Sequence, residues 1–190
     1  MSNLATVLGI DPSLRNFGLV KAIIDLEKCV VVSIEKLRLV ETESTNNKRV
    51  RKNSDDLERT RMIHKALHEE LQGCVMTFVE VPVGSQSARA MMSYGACVGI
   101  LASIQQPMVQ LNPSEVKMAA VGDKNASKAE MIEWATAMYP NADWFPGQKK
   151  GTYGGKNEHL ADAVAAIHAG LEHEDFKGYL AIMKMMRGVA

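Results

Sequence analysis

The sequence predicts one α/β domain built on a mixed five-stranded sheet, an antiparallel meander passing into parallel strands, flanked by helices. Three observations carry this. The first forty residues hold three strand-like runs joined by short turns, the pattern of a meander. Two later strand-like runs alternate with helical segments, the pattern of parallel pairing. The 190 residues, 46% of them hydrophobic, suit one full core over residues 1–190, with no internal repeat or linker.

The first strand is read over Leu4–Ile10, the second over Phe17–Ile24 and the third over Cys29–Leu39. Asp11 closes the first with no cation beside it in the chain, and Pro12, Ser13, Asn16 and Gly18 supply turn chemistry. A carboxylate at the tip of a buried strand is costly unless something stabilises it. Alone, Asp11 reads as a turn cap bonded to its own backbone. The polar stretch "ETESTNNKRVRKNSDD" reads as an exposed loop with Lys48, Arg49, Arg51 and Lys52. Ser54 or Asp55 is placed to cap the next helix, whose apolar positions are Leu57, Met62, Ile63, Leu67 and Leu71.

"CVMTFVEVP" is a near-continuous apolar strand, Cys74–Val81, carrying Glu80 near its end; such a run suits burial on both faces. Ser85–Ile104 is a helix rich in Ala and Gly, with one face for the sheet and a second, around Met91, Met92 and Gly95, for a subunit contact in which Met91, Met92 and Tyr94 are the anchors. Met108–Leu111 is a short strand, and Asn112 and Pro113 open a short helix to Ala120. Ser127 caps a helix to about Tyr139. A Gly- and Lys-rich loop precedes a helix over Glu158–Glu172, and a Met-rich amphipathic tail ends the chain.

Composition removes several functions. Net charge is zero, so no partner follows from the whole-molecule field, although local basic patches remain open. Three widely spaced cysteines, Cys29, Cys74 and Cys97, form no zinc spacing and suit reduced thiols in a cytoplasmic compartment. The start lacks a basic signal-peptide region, and the longest apolar run, Gly95–Ile104, is too short for a membrane span. An actin-like or sugar-kinase ATPase also begins with Gly-Ile-Asp, but it needs two such domains and a second phosphate loop.

Three acids stand out: Asp11 and Glu80 on strand ends, and Asp162 on an otherwise apolar helix, three residues after His159 and so on its face. Converged carboxylates repel and raise one another's pKa, and a divalent cation removes that penalty. Oxygen ligands favour Mg²⁺ or Mn²⁺, and two such ions can activate a water and stabilise the leaving oxygen of a phosphodiester.

The order of motifs resembles the ribonuclease H-like superfamily and, within it, the RuvC family of Holliday junction resolvases. "GIDPSLRNFG" is similar to that family's first-strand motif. "VEVPVGSQSARAMMSYGACVGIL" stands where its glutamate and following helix belong. "LNPSEVKMAAVGDKNASKAEMIEWA" and "HLADAVAAIHAG" resemble its later segment and last catalytic helix. The resemblance covers residues 5 to 172. It implies a homodimeric endonuclease that resolves four-way DNA junctions with two ions of Mg²⁺ or Mn²⁺ per site. Carried across, the metal-binding acids are Asp11, Glu80 and Asp162, with His159 as fourth member and Glu158 as its rival. A histidine there either ligates metal or moves a proton.

The resemblance also places Lys117, Lys124 and Lys128 against the phosphate backbone, and Lys149, Lys150 and Lys156 lie on the loop before the last catalytic helix. As a set they make a track for branched DNA that reads backbone rather than bases. Bacterial members often carry a stacking aromatic shortly after the glutamate; here the stretch is Val81-Pro82-Val83-Gly84, with Phe145 and Tyr153 on the late loop as alternatives. Compactness suits a phage-type member in the cytosol. Competing readings are another ribonuclease H-like nuclease, acting on flaps or RNA–DNA hybrids, and a catalytically silent DNA-binding relative.

Overall fold

The computed structural model describes residues 3–81, 83–84 and 86–186; Pro82 and Ser85, which the sequence reading includes, lie outside these, as does the side chain of Met186. The chain runs β1 (Leu4–Asp11), β2 (Asn16–Asp25), β3 (Val30–Glu41), α1 (Lys52–Glu70), β4 (Met76–Glu80), α2 (Ala88–Leu101), β5 (Met108–Leu111), α3 (Pro113–Val121), α4 (Lys128–Met138), α5 (Glu158–Glu172) and α6 (Glu174–Met186). The sheet order is β3-β2-β1-β4-β5. β1–β2 and β2–β3 are antiparallel, while β1–β4 and β4–β5 are parallel, as the sequence predicts.

Side-chain alternation along the strands divides the core in two. Val7, Val20, Ala22, Ile24, Met76 and Phe78 face α3, α4, α5 and α6. Leu8, Ile10, Phe17, Leu19 and Val79 face α1 and α2. The same period sends Gly9 and Asp11 on β1, Gly18 on β2 and Glu80 on β4 toward α5. Helix α5 touches all five strands.

That approach needs glycine. A Cβ on Gly9 would lie 2.2 Å from the Ala163 carbonyl oxygen, and one on Gly18 would lie 2.3 Å from that of His159. On the helix side, a Cβ on Gly170 would lie 2.0 Å from the Phe78 ring. Three missing side chains therefore let α5 lie against the sheet backbone.

Helix α1 departs from the sequence reading. It starts at Lys52, with Arg51 as N-cap and no side-chain cap, rather than at Ser54 or Asp55. Asp55 instead accepts bonds from the Ser44 hydroxyl and the Thr45 amide, so its carboxylate fastens the preceding loop. Leu57 and Met62 are about half exposed, whereas Ile63, Leu67 and Leu71 are buried as expected.

The positions that replace them are polar and paired. Asp56 is buried and takes both guanidinium nitrogens of Arg89 on α2, at 2.5 and 2.6 Å, as well as Arg59 at 3.2 Å. Arg59 also donates to Thr42 Oγ1 and to the Leu14 carbonyl in the β1–β2 turn. Glu70, buried at the other end, accepts from Lys36 and Arg38 on β3. Ion pairs thus fix α1 to the sheet and α2 to α1. Asn112 and Ser127 form capping boxes on α3 and α4 with Glu115 and Glu130. No helix among the described residues is long and apolar enough to cross a membrane.

Candidate active site

β1 and β4 are parallel neighbours in register through Ile10 and Val79, so Asp11 and Glu80 follow side by side at the same rim of the sheet. Asp11 pairs across the antiparallel side with Gly18, directly beneath the His159 backbone. The glycine is what lets α5 deliver its first turn to the Asp11 carboxylate. His159 Nδ1 and Asp11 Oδ2 share a hydrogen bond of 2.6 Å. The β1–β2 turn is closed by Ser13, whose hydroxyl accepts from the Arg15 and Asn16 amides, so Asp11 is not its own turn cap.

Asp11, Ser13, Glu80 and Tyr94 of α2 line one cleft of about 250 Å³, with Val83 and Pro113 as its apolar rim. It opens at the carboxyl ends of the parallel strands, where α/β sheets take their ligands. Asp162, on the next turn of α5 after His159, acts electrostatically on Glu80 and is itself raised by Asp11. Burial, then Asp11, then Asp162 push the Glu80 carboxyl up to about 8. Burial, then Asp11, then Glu158 push Asp162 up to about 7. Burial also raises Asp11, and the His159 bond only partly offsets it. Burial opposes the His159 charge, but the Asp11 bond and the surrounding carboxylates outweigh it, so the imidazole lies above its ordinary range. The rim is therefore a pocket of excess negative potential that holds protons well above the usual carboxylate range.

Among the described residues, no three His, Cys, Asp or Glu side chains are drawn tightly enough to cage an ion as they stand. The carboxylates are neighbours with Asp11 turned onto His159; closer approach needs positive charge between them.

The lysines divide. Lys117 on α3 is close enough to lower the pKa of both Glu80 and Asp162. Lys128, the first residue of α4, pairs with Glu158 at 2.5 Å, and Lys156 pairs with Glu41 at 2.7 Å. Glu158 is thus held by lysine while His159 is held by Asp11. Lys124, Lys149 and Lys150 are exposed.

Sequence reasoning missed Asn157. It is fully buried, accepts from the Phe145 amide and donates to the Phe145 and Gly154 carbonyls. It pins the Lys-rich loop immediately before α5. A lone Asn in a Gly-rich stretch carries no signal of such burial. Tyr94, which the sequence reading gives as a subunit-contact anchor on α2, lines the cleft.

The architecture matches solved structures along nearly the whole chain. RuvC of T. thermophilus in complex with a Holliday junction substrate superimposes with a TM-score of 0.62 at 20% identity, covering 98% of each chain. This chain has the RuvC fold. A second Thermus thermophilus RuvC structure gives a TM-score of 0.59 at 21% identity, over 97% of this chain and 98% of that one. The yeast mitochondrial Holliday junction resolvase Ydc2 gives 0.54 at 16% identity, over 96% and 86%. No family model matches the sequence, and no curated protein does. The sequence motifs and the three-dimensional likeness thus point to the same proteins, and the ribonuclease H-like sheet places Asp11, Glu80 and α5 of this RuvC fold at one rim.

Proposed function

We propose that this chain is a divalent-metal-dependent endonuclease that resolves four-way DNA junctions by paired phosphodiester hydrolysis, acting as a homodimer of single-domain subunits in a reducing, cytosolic compartment. The observation that carries this is the neighbourhood of Asp11 and Glu80 at one cleft of a RuvC fold, with His159 of α5 bonded to Asp11 and Asp162 close enough to shift Glu80. The solved RuvC complex holds a Holliday junction substrate, which supports branched DNA as the ligand here.

Carboxylate oxygens with excess negative potential fit a hard cation such as Mg²⁺ or Mn²⁺. Asp11, Glu80, Asp162 and His159 would hold it, and bound ions supply charge neutralisation at the phosphate and a more acidic water. Asp11 orients His159, whose raised pKa suits holding a proton near neutral pH. Lys117 contributes positive charge beside the carboxylates, and Lys124, Lys128, Lys149, Lys150 and Lys156 are the groups for contacts to the DNA backbone. Glu158, paired with Lys128, is a tuning neighbour rather than the fourth member of the site.

A Mg²⁺ titration against a four-way junction, a flap, an RNA–DNA hybrid and a plain duplex tests the reading. Junction cleavage is expected at the lowest enzyme concentration, with symmetric nicks and none in EDTA. Preference for the flap or hybrid would assign the same site to another nuclease reaction. Binding without cleavage of any substrate would leave a silent DNA-binding relative.

A further inference from the structure

The connection from β3 to α1 leaves the sheet at the rim that carries Asp11. β3 ends at Glu41, which pairs with Asn16 on β2, two residues before the Gly18 that pairs with Asp11. The root of the connection is tied to the turn that follows Asp11. The Thr42 amide donates to the Arg15 carbonyl at 2.8 Å, and the Thr42 hydroxyl donates to the Leu14 carbonyl. Two strand spacings, about 10 Å, separate Asp11 from this root. From there the chain crosses to α1, on the face of the sheet opposite α3 and α4.

Residues 44–54 hold Lys48, Arg49, Arg51 and Lys52 and no Asp or Glu. The stretch is folded rather than a loose polar run. Asp55 accepts from the Ser44 hydroxyl at 2.8 Å and from the Thr45 amide at 3.1 Å. The Asn47 amide donates to Thr45 Oγ1, the Arg49 amide to Asn47 Oδ1, and the Val50 amide to the Asn47 carbonyl. Asp55 also pairs with Lys52 at 3.7 Å. Among the described residues, no carboxylate pairs with Lys48, Arg49 or Arg51, and all three are exposed.

Like charges so close together repel one another, and the fold holds these three in place without an acid to relieve them. A polyanion relieves them. Duplex DNA presents one charge per about 1.7 Å of axis, and lysines and arginines without fixed partners suit its phosphates rather than its base edges. At about 3.4 Å per nucleotide of one strand, a distance of about 10 Å corresponds to about three base pairs. We propose that Lys48, Arg49 and Arg51 hold the backbone of a duplex arm of the junction, about three or more base pairs from the phosphate cut at the cleft. The inference rests on the nuclease reading and adds a contact on the sheet face opposite Lys117 and Lys128.

The test uses full-length protein in EDTA and a four-way junction whose arms are two helical turns long. Binding is read by fluorescence anisotropy over a range of salt concentrations, for wild type and for the triple variant Lys48→Ala, Arg49→Ala, Arg51→Ala. Loss of three phosphate contacts should lower the slope of log affinity on log salt by up to about 2.7. Between about 50 and 200 mM salt, wild type should then lose up to about 40-fold more affinity than the variant. Lys48→Arg, Arg49→Lys and Arg51→Lys together should keep the wild-type slope. A second junction carries uncharged methylphosphonates about three to six base pairs from the cut position. That patch should cost wild type more affinity than it costs the triple variant. An unchanged slope, or an equal cost of the patch in both proteins, would overturn the loop assignment while wild-type junction binding keeps the nuclease reading. Failure of wild type to bind the junction at all would overturn that reading instead.

Discussion

Asp11 is the residue on which both the geometry and the chemistry converge. It is central in the sheet, bonded to His159, and a source of the raised pKa values around it. Asp11→Asn preserves shape and removes charge. Losing several kcal/mol of charge stabilisation at the phosphate amounts to about a thousandfold or more in rate. Cleavage is expected to fall by that much in a single-turnover assay while junction affinity is kept or increased; near-wild-type rates would reduce Asp11 to a structural group. Glu80 offers a test without DNA. In the metal-free protein it keeps its proton to about pH 8, and Asp162 keeps its own to about pH 7. The unfolded chain releases both near pH 4. Between these limits the folded state binds more protons at these two groups, so their contribution to stability is full below about pH 4 and is lost as pH rises through 7 to 8. His159, raised as well, adds in the same direction. Thermal melts in EDTA should therefore show a falling Tm from pH 5 to 8.5, a smaller fall in Glu80→Gln, and a flatter profile with Mg²⁺. Parallel curves for the two proteins would mean that Glu80 is well solvated.

At the scale of elements, the close contact of α5 with the sheet is the feature most sensitive to change. Gly18→Ala puts a methyl group against the His159 backbone, which cannot yield as a side chain would. Overpacking of this kind costs about 1–3 kcal/mol. The shift of His159 should cost more in cleavage than in stability, since a displacement of about 1 Å can cost on the order of a hundredfold. Gly178→Ala on α6, with nothing near its Cβ, should raise helix stability by up to about 1 kcal/mol and leave cleavage alone. Asp56→Ala strands Arg59, buried with it, and urea denaturation should show a loss of about 3 kcal/mol. These elements also show where sequence is readable. The meander, β4 and α5 were legible because strand runs and an unbroken apolar helix leave strong periodic patterns. The adjacency of Asp11, Glu80 and His159 followed from the strand ends and the helix face. The start of α1 was not legible, because Asp55 serves a loop eleven residues back rather than its own helix. The burial of Asp56 and Arg59 in place of Leu57 and Met62 was hidden for the same reason: it depends on Arg89, distant in the chain. Asn157 escaped because its partners, Phe145 and Gly154, lie in an irregular loop that leaves no periodic pattern.

For the whole molecule, zero net charge coexists with Lys117 and Lys128 close to the acidic groups. Junction affinity should fall steeply with salt, and replacing Lys117, Lys124 and Lys128 by Ala should reduce the slope of log affinity on log salt by up to about 2.7. An unchanged slope would move the phosphate track to the Lys149–Lys156 hairpin. The outer face of α2 bears on assembly. Cys97, Ile100 and Leu101 turn inward, while Met91, Met92 and Val98 are exposed and nothing packs over Gly95 or Gly99. A two-fold contact on that face would give two equivalent sites for a two-fold symmetric junction. Met92→Asp should convert the dimer to monomer in sedimentation and uncouple the paired nicks; an intact dimer would place the contact elsewhere. The lateness of α5 has a consequence in time. His159 follows Asp11 by 148 residues, and translation at about 5–20 residues per second separates them by roughly 7–30 s. Until α5 leaves the ribosome, the nascent meander carries Asp11 without its histidine and Glu80 without Asp162. The Asp11–His159 pair therefore forms only once α5 has been made, and a translation product that stops before α5 lacks it.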